Sequence, residues 1–252
     1  MKICNLASGS KGNCTYISTN KYKILIDLGK NKKYIVEKLA SIGVDYKDID
    51  YVFLTHTHDD HTSAIRTFLK NHKAKLVITS AMFQEMKDIQ DLHIIIYEDH
   101  PNIENLDIKS FKMSHDVADI RSFVISENDS TIVYITDTGY INSKYFNEFK
   151  NKTVYFIESN HDIEKLTHGP YPEWLQKRVL SDEGHLSNNF AGIYLSKLIN
   201  EKTKDILLLH LSENNNTEEL ALQTVNNMIK DKYSGSLECA KQNEVSKVYV
   251  YD

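Results

Sequence analysis

The segment Tyr51-Val52-Phe53-Leu54-Thr55-His56-Thr57-His58-Asp59-Asp60-His61 decides how this chain reads. An apolar strand, expected over Tyr51–Thr55, runs straight into a cluster in which five of six positions can ligate a metal. His56 and His58 lie two apart at a strand end, so both side chains leave the same side and can share one ion. Asp60 and His61 follow as the chain turns into a helix, and point toward a second position nearby. Imidazole and carboxylate are donors that zinc, manganese or iron accept.

Working outward, three further strands end in one metal-competent residue each. His115 follows Phe111-Lys112-Met113-Ser114, Asp137 follows Ile132-Val133-Tyr134-Ile135-Thr136, and His210 follows Ile206-Leu207-Leu208-Leu209. Around them strand and helix alternate. Strands are expected at Lys2–Ala7, Asn13–Ser18, Lys23–Asp27, Lys75–Thr79, His93–Tyr97, Asp107–Met113, Ile120–Ser126, Thr131–Thr136, Thr153–Glu158 and Asp205–His210, with an edge strand at Lys247–Tyr251. Helices are expected near Lys32–Ile42, His61–Asn71, Asn142–Phe149, Tyr171–Leu180, Asn188–Ile199 and Thr217–Lys230. Two sheets faced by helices on both outer sides satisfy this α/β order.

The chain has 252 residues, with 41% hydrophobic and 26% charged, as in an ordinary globular protein. Three prolines and no low-complexity linker imply a single domain over 1–252. No run approaches the roughly 20 apolar residues of a membrane span. The first ten residues are too polar for a secretory signal, so a cytoplasmic protein without membrane contact is expected. Cys4, Cys14 and Cys239 form no CxxC pair and read as free thiols. A net charge of −5 argues against non-specific coating of nucleic acid, which needs a basic face. It leaves room for a nuclease, because bound divalent ions add positive charge that the count omits. His72, His93, His100 and His168 fit no pattern and read as surface residues.

Two other segments carry chemistry. Ser8-Gly9-Ser10-Lys11-Gly12-Asn13 is a small polar loop whose amides and hydroxyls could cradle a phosphate, with Ser8, Ser10, Lys11 and Asn13 as candidate contacts. His161 and His185 stand near a strand end and a helix start. Either could touch a phosphate oxygen or protonate a leaving alkoxide.

In order, Asp27 within Leu25-Ile26-Asp27-Leu28-Gly29, HxHxDH, a lone His, a lone Asp and a final His resemble the motifs of the metallo-β-lactamase superfamily. The resemblance implies the four-layer αββα sandwich. It implies two divalent metal ions, zinc or manganese. His56, His58 and His115 would hold one, Asp60, His61 and His210 the other, with Asp137 bridging and Asp27 orienting a ligand histidine. Five segments look like the YycJ/WalJ/VicX group: Leu6–Thr15, Glu158–Asp162, Gly169–Pro172 with Lys177-Arg178, Gly184–Asn188 and His210–Asn215. That likeness implies a 5′-to-3′ DNA exonuclease in which a hydroxide shared by the metals attacks the phosphodiester. Asp60 would manage the proton of the attacking water, and His185 would serve the leaving group. The rivals are a small-substrate phosphodiesterase, another hydrolase of this fold, and a catalytically weak regulatory protein. A secreted β-lactamase lacks its export signal here. A nuclease with a large domain inserted between Asp137 and His210 has no room, since strands and helices fill that stretch. Metal identity and oligomeric state stay open at this level.

Overall fold

A computed structural model describes residues 1–252. The first seven strands are β1 (Lys2–Ala7), β2 (Cys14–Ser18), β3 (Lys23–Ile26), β4 (Tyr51–Phe53), β5 (Lys75–Thr79), β6 (Ile94–Tyr97) and β7 (Asp107–Lys112). The remainder are β8 (Arg121–Glu127), β9 (Ser130–Ile135), β10 (Val154–Glu158), β11 (Asp205–Leu209), β12 (Ser236–Cys239) and β13 (Tyr249–Val250). The helices are α1 (Lys32–Ser41), α2 (Asp59–Thr62), α3 (Ile65–Leu69), α4 (Ser80–Glu85), α5 (Phe146–Phe149), α6 (Ile163–Thr167), α7 (Glu173–Val179), α8 (Asn188–Leu198) and α9 (Glu218–Ile229). None is long and apolar enough to cross a membrane.

The strands form two sheets, ordered β13-β1-β2-β3-β4-β5-β6 and β12-β11-β10-β9-β8-β7. Each has an antiparallel part followed by a parallel part, β3 to β6 in one and β9 to β12 in the other. The inner parallel strands β3, β4, β10 and β11 are covered on both faces, and their sequences are largely apolar for that reason. Alternate residues then enter different layers. Ile24, Ile26 and Phe53 meet Ile132, Tyr134, Phe156, Leu207 and Leu209 between the sheets. Leu25, Val52 and Leu54 face outward with Ile35, Leu39 and Phe68 of the first helical layer. Val133, Ile135, Ile206 and Leu208 face outward with Leu195, Ala221 and Val225 of the second. Three apolar layers between four layers of structure make the expected αββα sandwich.

Strand direction decides where the chemistry collects. β7 and β9 both run antiparallel to β8, so both end at one edge, with β10 and β11. β1, β3 and β4 end at the corresponding edge of the other sheet. Ligands of open α/β sheets bind beyond such carboxyl ends.

Two local expectations fail for definite reasons. β4 stops at Phe53 because the Thr55 amide donates to the Asp27 carboxylate, 2.8 Å away, and not to a strand. The expected helix His61–Asn71 is split into α2 and α3. The Asp60 carbonyl accepts from the Asn13 amide at 2.8 Å, and the Ala64 amide donates to the Leu28 carbonyl at 2.9 Å, so the i to i+4 bond between them is diverted. α4, α6 and β12 escape the sequence reading, as short elements without clear periodicity do.

The close approach of Leu28-Gly29 to the histidine turn explains the glycine. A Cβ at Gly29 would lie 1.5 Å from the Asp60 carbonyl oxygen. Gly29→Ala should therefore force the turn outward and destabilise the fold by about 1–3 kcal/mol, as overpacking does. Urea unfolding checks this, and a change under about 0.5 kcal/mol would contradict the packing described.

Candidate metal centre

Asp27, Asp137 and His210, each just beyond a strand, adopt left-handed backbone with φ of 63°, 52° and 56°. Such angles are costly for residues with a Cβ and persist where surrounding structure over-determines them. Here they turn the chain sharply, so that side chains from both sheets meet in one cleft.

Donor atoms in four overlapping sets lie within 4.8 Å of one another: His56, His58 and His115; Asp60, His61 and His210; His56, His61 and Asp137; and Asp137, Glu158, His185 and His210. Four of the rings have Nδ1 pinned from behind. His61 Nδ1 bonds Asp27 Oδ2 at 2.8 Å, and His115 Nδ1 bonds the Gly184 carbonyl at 3.1 Å. Glu158 Oε1 takes His185 Nδ1 at 2.7 Å and His210 Nδ1 at 2.9 Å. Each ring thereby keeps Nε2 as the lone pair facing the cleft. This is the tautomer that carboxylate and carbonyl partners impose on metal-binding histidines. His56 Nε2 and His58 Nδ1 face each other at 3.2 Å, and His210 Nε2 is buried with no hydrogen-bond partner. Converging lone pairs and an orphaned buried nitrogen fit a cation between them.

The electrostatics agree. Burial would push the Asp137 carboxyl up, yet the His210 and His61 rings hold it well below the usual carboxylate range. Burial likewise opposes ionisation of Glu158, and His185 and His210 hold it down at about 2. Burial also works against charge on His210, but Asp137, Asp60 and Glu158 raise it to about 10. The buried carboxylates thus favour positive charge in the cleft.

The cleft has a cavity volume of about 220 Å³. His58, His115, His185 and His210 line it, together with Asp60, Asp116, Asp137 and Glu183. Arg178 is the only lysine or arginine there, and its Nε donates to Asp116 Oδ2 at 2.6 Å.

A metallo-beta-lactamase superfamily model matches residues 7–120. Exodeoxyribonuclease WalJ of Streptococcus pneumoniae is 35% identical over 236 residues, covering 90% of this chain and 88% of that protein. Exodeoxyribonuclease YycJ of Bacillus anthracis is 30% identical, covering 91% and 89%. The chain belongs to the metallo-beta-lactamase superfamily. Within it, the chain is a member of the WalJ and YycJ family, and the superfamily's divalent-metal chemistry suits the His/Asp clusters above. Among solved structures, Bacillus subtilis YhfI aligns with a TM-score of 0.70 at 19% identity, over 97% of this chain and 98% of its own. The short form of human tRNase Z aligns with a TM-score of 0.67 at 12% identity, over 99% and 100%. Both show the superfamily fold.

The residues expected at the centre all meet there, and Asp27 holds His61 from behind as expected. The expected phosphate loop divides. Ser10 lines the cleft. Ser8 is buried, and its hydroxyl accepts from the His210 amide at 2.8 Å. Asn13 is buried and donates to Asp60 Oδ2 at 3.1 Å, so both residues brace the centre and neither lines the cleft. Lys11 points to solvent and pairs with Glu213 at 2.5 Å. His161 is buried and does not line the cleft, which removes the expected phosphate contact; burial lowers its ring to about 4 and keeps it neutral. His72, expected at the surface, is buried between the Tyr46 carbonyl and the Ala74 amide.

Glu158 is the residue that sequence reading missed. Its signal was present, because Val154-Tyr155-Phe156-Ile157 ends on one ionisable residue just as the strands before Asp137 and His210 do. Its carboxylate also accepts the Thr138 and Leu186 amides at 3.0 and 3.1 Å. Glu158→Ala would leave the Thr138 and Leu186 amides and His185 Nδ1 without their acceptor, and His210 Nδ1 with Asp137 Oδ1 alone. Urea unfolding of the metal-free protein should show a loss of about 3–5 kcal/mol. A loss under 1 kcal/mol would mean that the network is not closed as described.

Proposed function

We propose that this chain is a two-metal phosphodiesterase that shortens DNA from its 5′ end. The observation that carries the reading is the convergence of inward-facing Nε2 atoms and the Asp60 and Asp137 carboxylates on one cleft. The relatives named exodeoxyribonucleases support a polynucleotide substrate, and specifically DNA.

His56, His58 and His115 would hold one ion, Asp60, His61 and His210 the second, and Asp137 lies against both groups. Zinc and manganese both suit this donor set. When bound, such a pair activates water near neutral pH and offsets charge on the reacting phosphate. A polyanion entering a cleft lined by four carboxylates needs that charge, since Arg178 alone cannot supply it.

The protein's own groups do the rest. Asp60, whose Oδ2 lies 3.4 Å from His61 Nε2 and 3.6 Å from His210 Nε2, holds the proton of the attacking water at that oxygen. His185 faces the cleft and Glu158 fixes its ring through Nδ1; as an imidazolium balanced by that carboxylate it would pass its Nε2 proton to the departing sugar oxygen. Ser10 adds a hydroxyl at the mouth.

The purified chain should carry close to two transition-metal ions, and chelation should abolish hydrolysis of DNA. Elemental analysis finding no metal, with activity indifferent to chelator, refutes the proposal. A rate that does not rise with oligonucleotide length, with bis-p-nitrophenyl phosphate cleaved as well as DNA, assigns the cleft to a small phosphodiester.

His185→Ala should lower turnover on DNA by about 10²–10⁴-fold, the usual worth of a positioned acid. Metal content should stay unchanged. Loss of one ion in that variant would make His185 a ligand, consistent with its place beside Asp137 and His210, and would remove it from proton transfer.

A further inference from the structure

Lys30 is the one lysine or arginine of the chain that is buried, with 9% of its surface exposed, and no carboxylate pairs with it. Its Nζ has two partners. Asn243 Oδ1 accepts from it at 2.9 Å, and the face of the Tyr34 ring lies 5.4 Å away. The stem is packed beneath the loop that precedes β2. A Cβ at Gly12 would lie 2.9 Å from Lys30 Cδ, and the Gly29 amide donates to the Asn13 carbonyl at 2.8 Å. That packing holds the ammonium in place, where a surface lysine would swing into water.

A buried cation without a counter-charge works against the fold. Its surroundings add to the cost. Burial and the Lys11 ammonium both pull the Lys30 pKa below the usual lysine range, and Glu213 opposes them only in part. α1 begins just after Lys30, and its first turn, the positive end of the helix dipole, holds Lys32 and Lys33 and no acid. One anion beside Nζ would relieve all of this.

The position borders the metal cleft. Ser10 and Ser212 line that cleft, and the residue after each, Lys11 and Glu213, form an ion pair of 2.5 Å. A polymer leaving the cleft on this side passes Lys11 and, beneath the same loop, Lys30.

We infer that Lys30 and Lys11 form a second phosphate site, which takes a backbone phosphate of the DNA beyond the one being cut. Lys11 exchanges Glu213 for that phosphate. Lys30 stays where it is and gains the counter-charge it lacks. This rests on the polynucleotide reading above and adds to it a contact outside the metal centre, one that holds the substrate without reading its bases.

Binding of a phosphorothioate DNA duplex to the metal-loaded enzyme is measured against salt, beside hydrolysis of bis-p-nitrophenyl phosphate, which has no second phosphate. Lys30→Met removes the charge and keeps the stem. It should weaken DNA binding about ten- to a hundredfold, the worth of a charged hydrogen bond, and lower the slope of log affinity against log salt by about 1. Hydrolysis of the small ester should be unchanged. Urea unfolding should need at least as much denaturant as in wild type, since an unpaired buried charge is gone. Lys11→Met, at an exposed position, should weaken DNA binding in the same way and fold normally. Lys230→Met, exposed at the end of α9, should change nothing. If wild type cleaves DNA while Lys30→Met binds it as tightly and with the same slope, the second site is wrong and the exonuclease reading stands. A weakened fold in Lys30→Met, with Lys11→Met binding DNA as wild type does, makes Lys30 a structural group and also overturns the site. If inorganic phosphate protects wild type and not Lys30→Met against urea, and both bind DNA equally, the site belongs to a free anion and not to the DNA backbone. If wild type cleaves no DNA, the polynucleotide reading fails and takes the second site with it.

Discussion

A carboxylate sealed from water must find donors, and two such carboxylates organise this molecule. Asp27 belongs to the first sheet and Glu158 to the second, and neither has exposed surface. Asp27 gathers the Thr55 amide, the Thr55 hydroxyl and His61 Nδ1, each at 2.8 Å. Glu158 gathers two amides and two imidazoles. Leaving a charge unpaired in such surroundings costs several kcal/mol, so these contacts are demanded by the burial itself. What they fix is the orientation of His61, His185 and His210, on which the chemistry of the cleft depends.

The strands bring those groups to one place, and the left-handed turns aim them. The parallel strands β3, β4, β9, β10 and β11 deliver Asp27, the histidine turn, Asp137, Glu158 and His210 at their carboxyl ends. Strained backbone at Asp27, Asp137 and His210 is paid for by packing in three apolar layers, far more rigid than the loops alone. Asn13 and Ser8 show the same economy. Polar residues in a loop that looks built for a ligand instead brace Asp60 and the His210 backbone.

Charge in the cleft is mixed, with acids and imidazoles side by side. Four carboxylates and four imidazoles line the cleft, and its one guanidinium is held by Asp116. An anionic substrate entering it would therefore meet bound cations and not a basic surface, in keeping with the chain's net charge of −5. Tyr171, Leu175 and Val179 give the same cleft its apolar lining.

Much of this was legible in the residues themselves. The strand before HxHxDH, and the strands before His115 and Asp137, each end on a donor because alternating or continuous apolar patterns carry their own period. That local signal was enough for the sandwich and for the donor set at its edge. Tertiary structure decided what local pattern cannot encode. The break between α2 and α3 follows from hydrogen bonds to Asn13 and Leu28, residues distant in sequence, and no window around His61 contains them. Burial decided the roles of Ser8, Asn13 and His161, because a polar side chain reads the same in sequence whether it faces substrate or a neighbouring strand. Glu158 acquires its meaning only when His185 and His210, 27 and 52 positions away, fold back onto it. Period is a property of consecutive residues, and partnership across a sheet edge is a property of the folded chain.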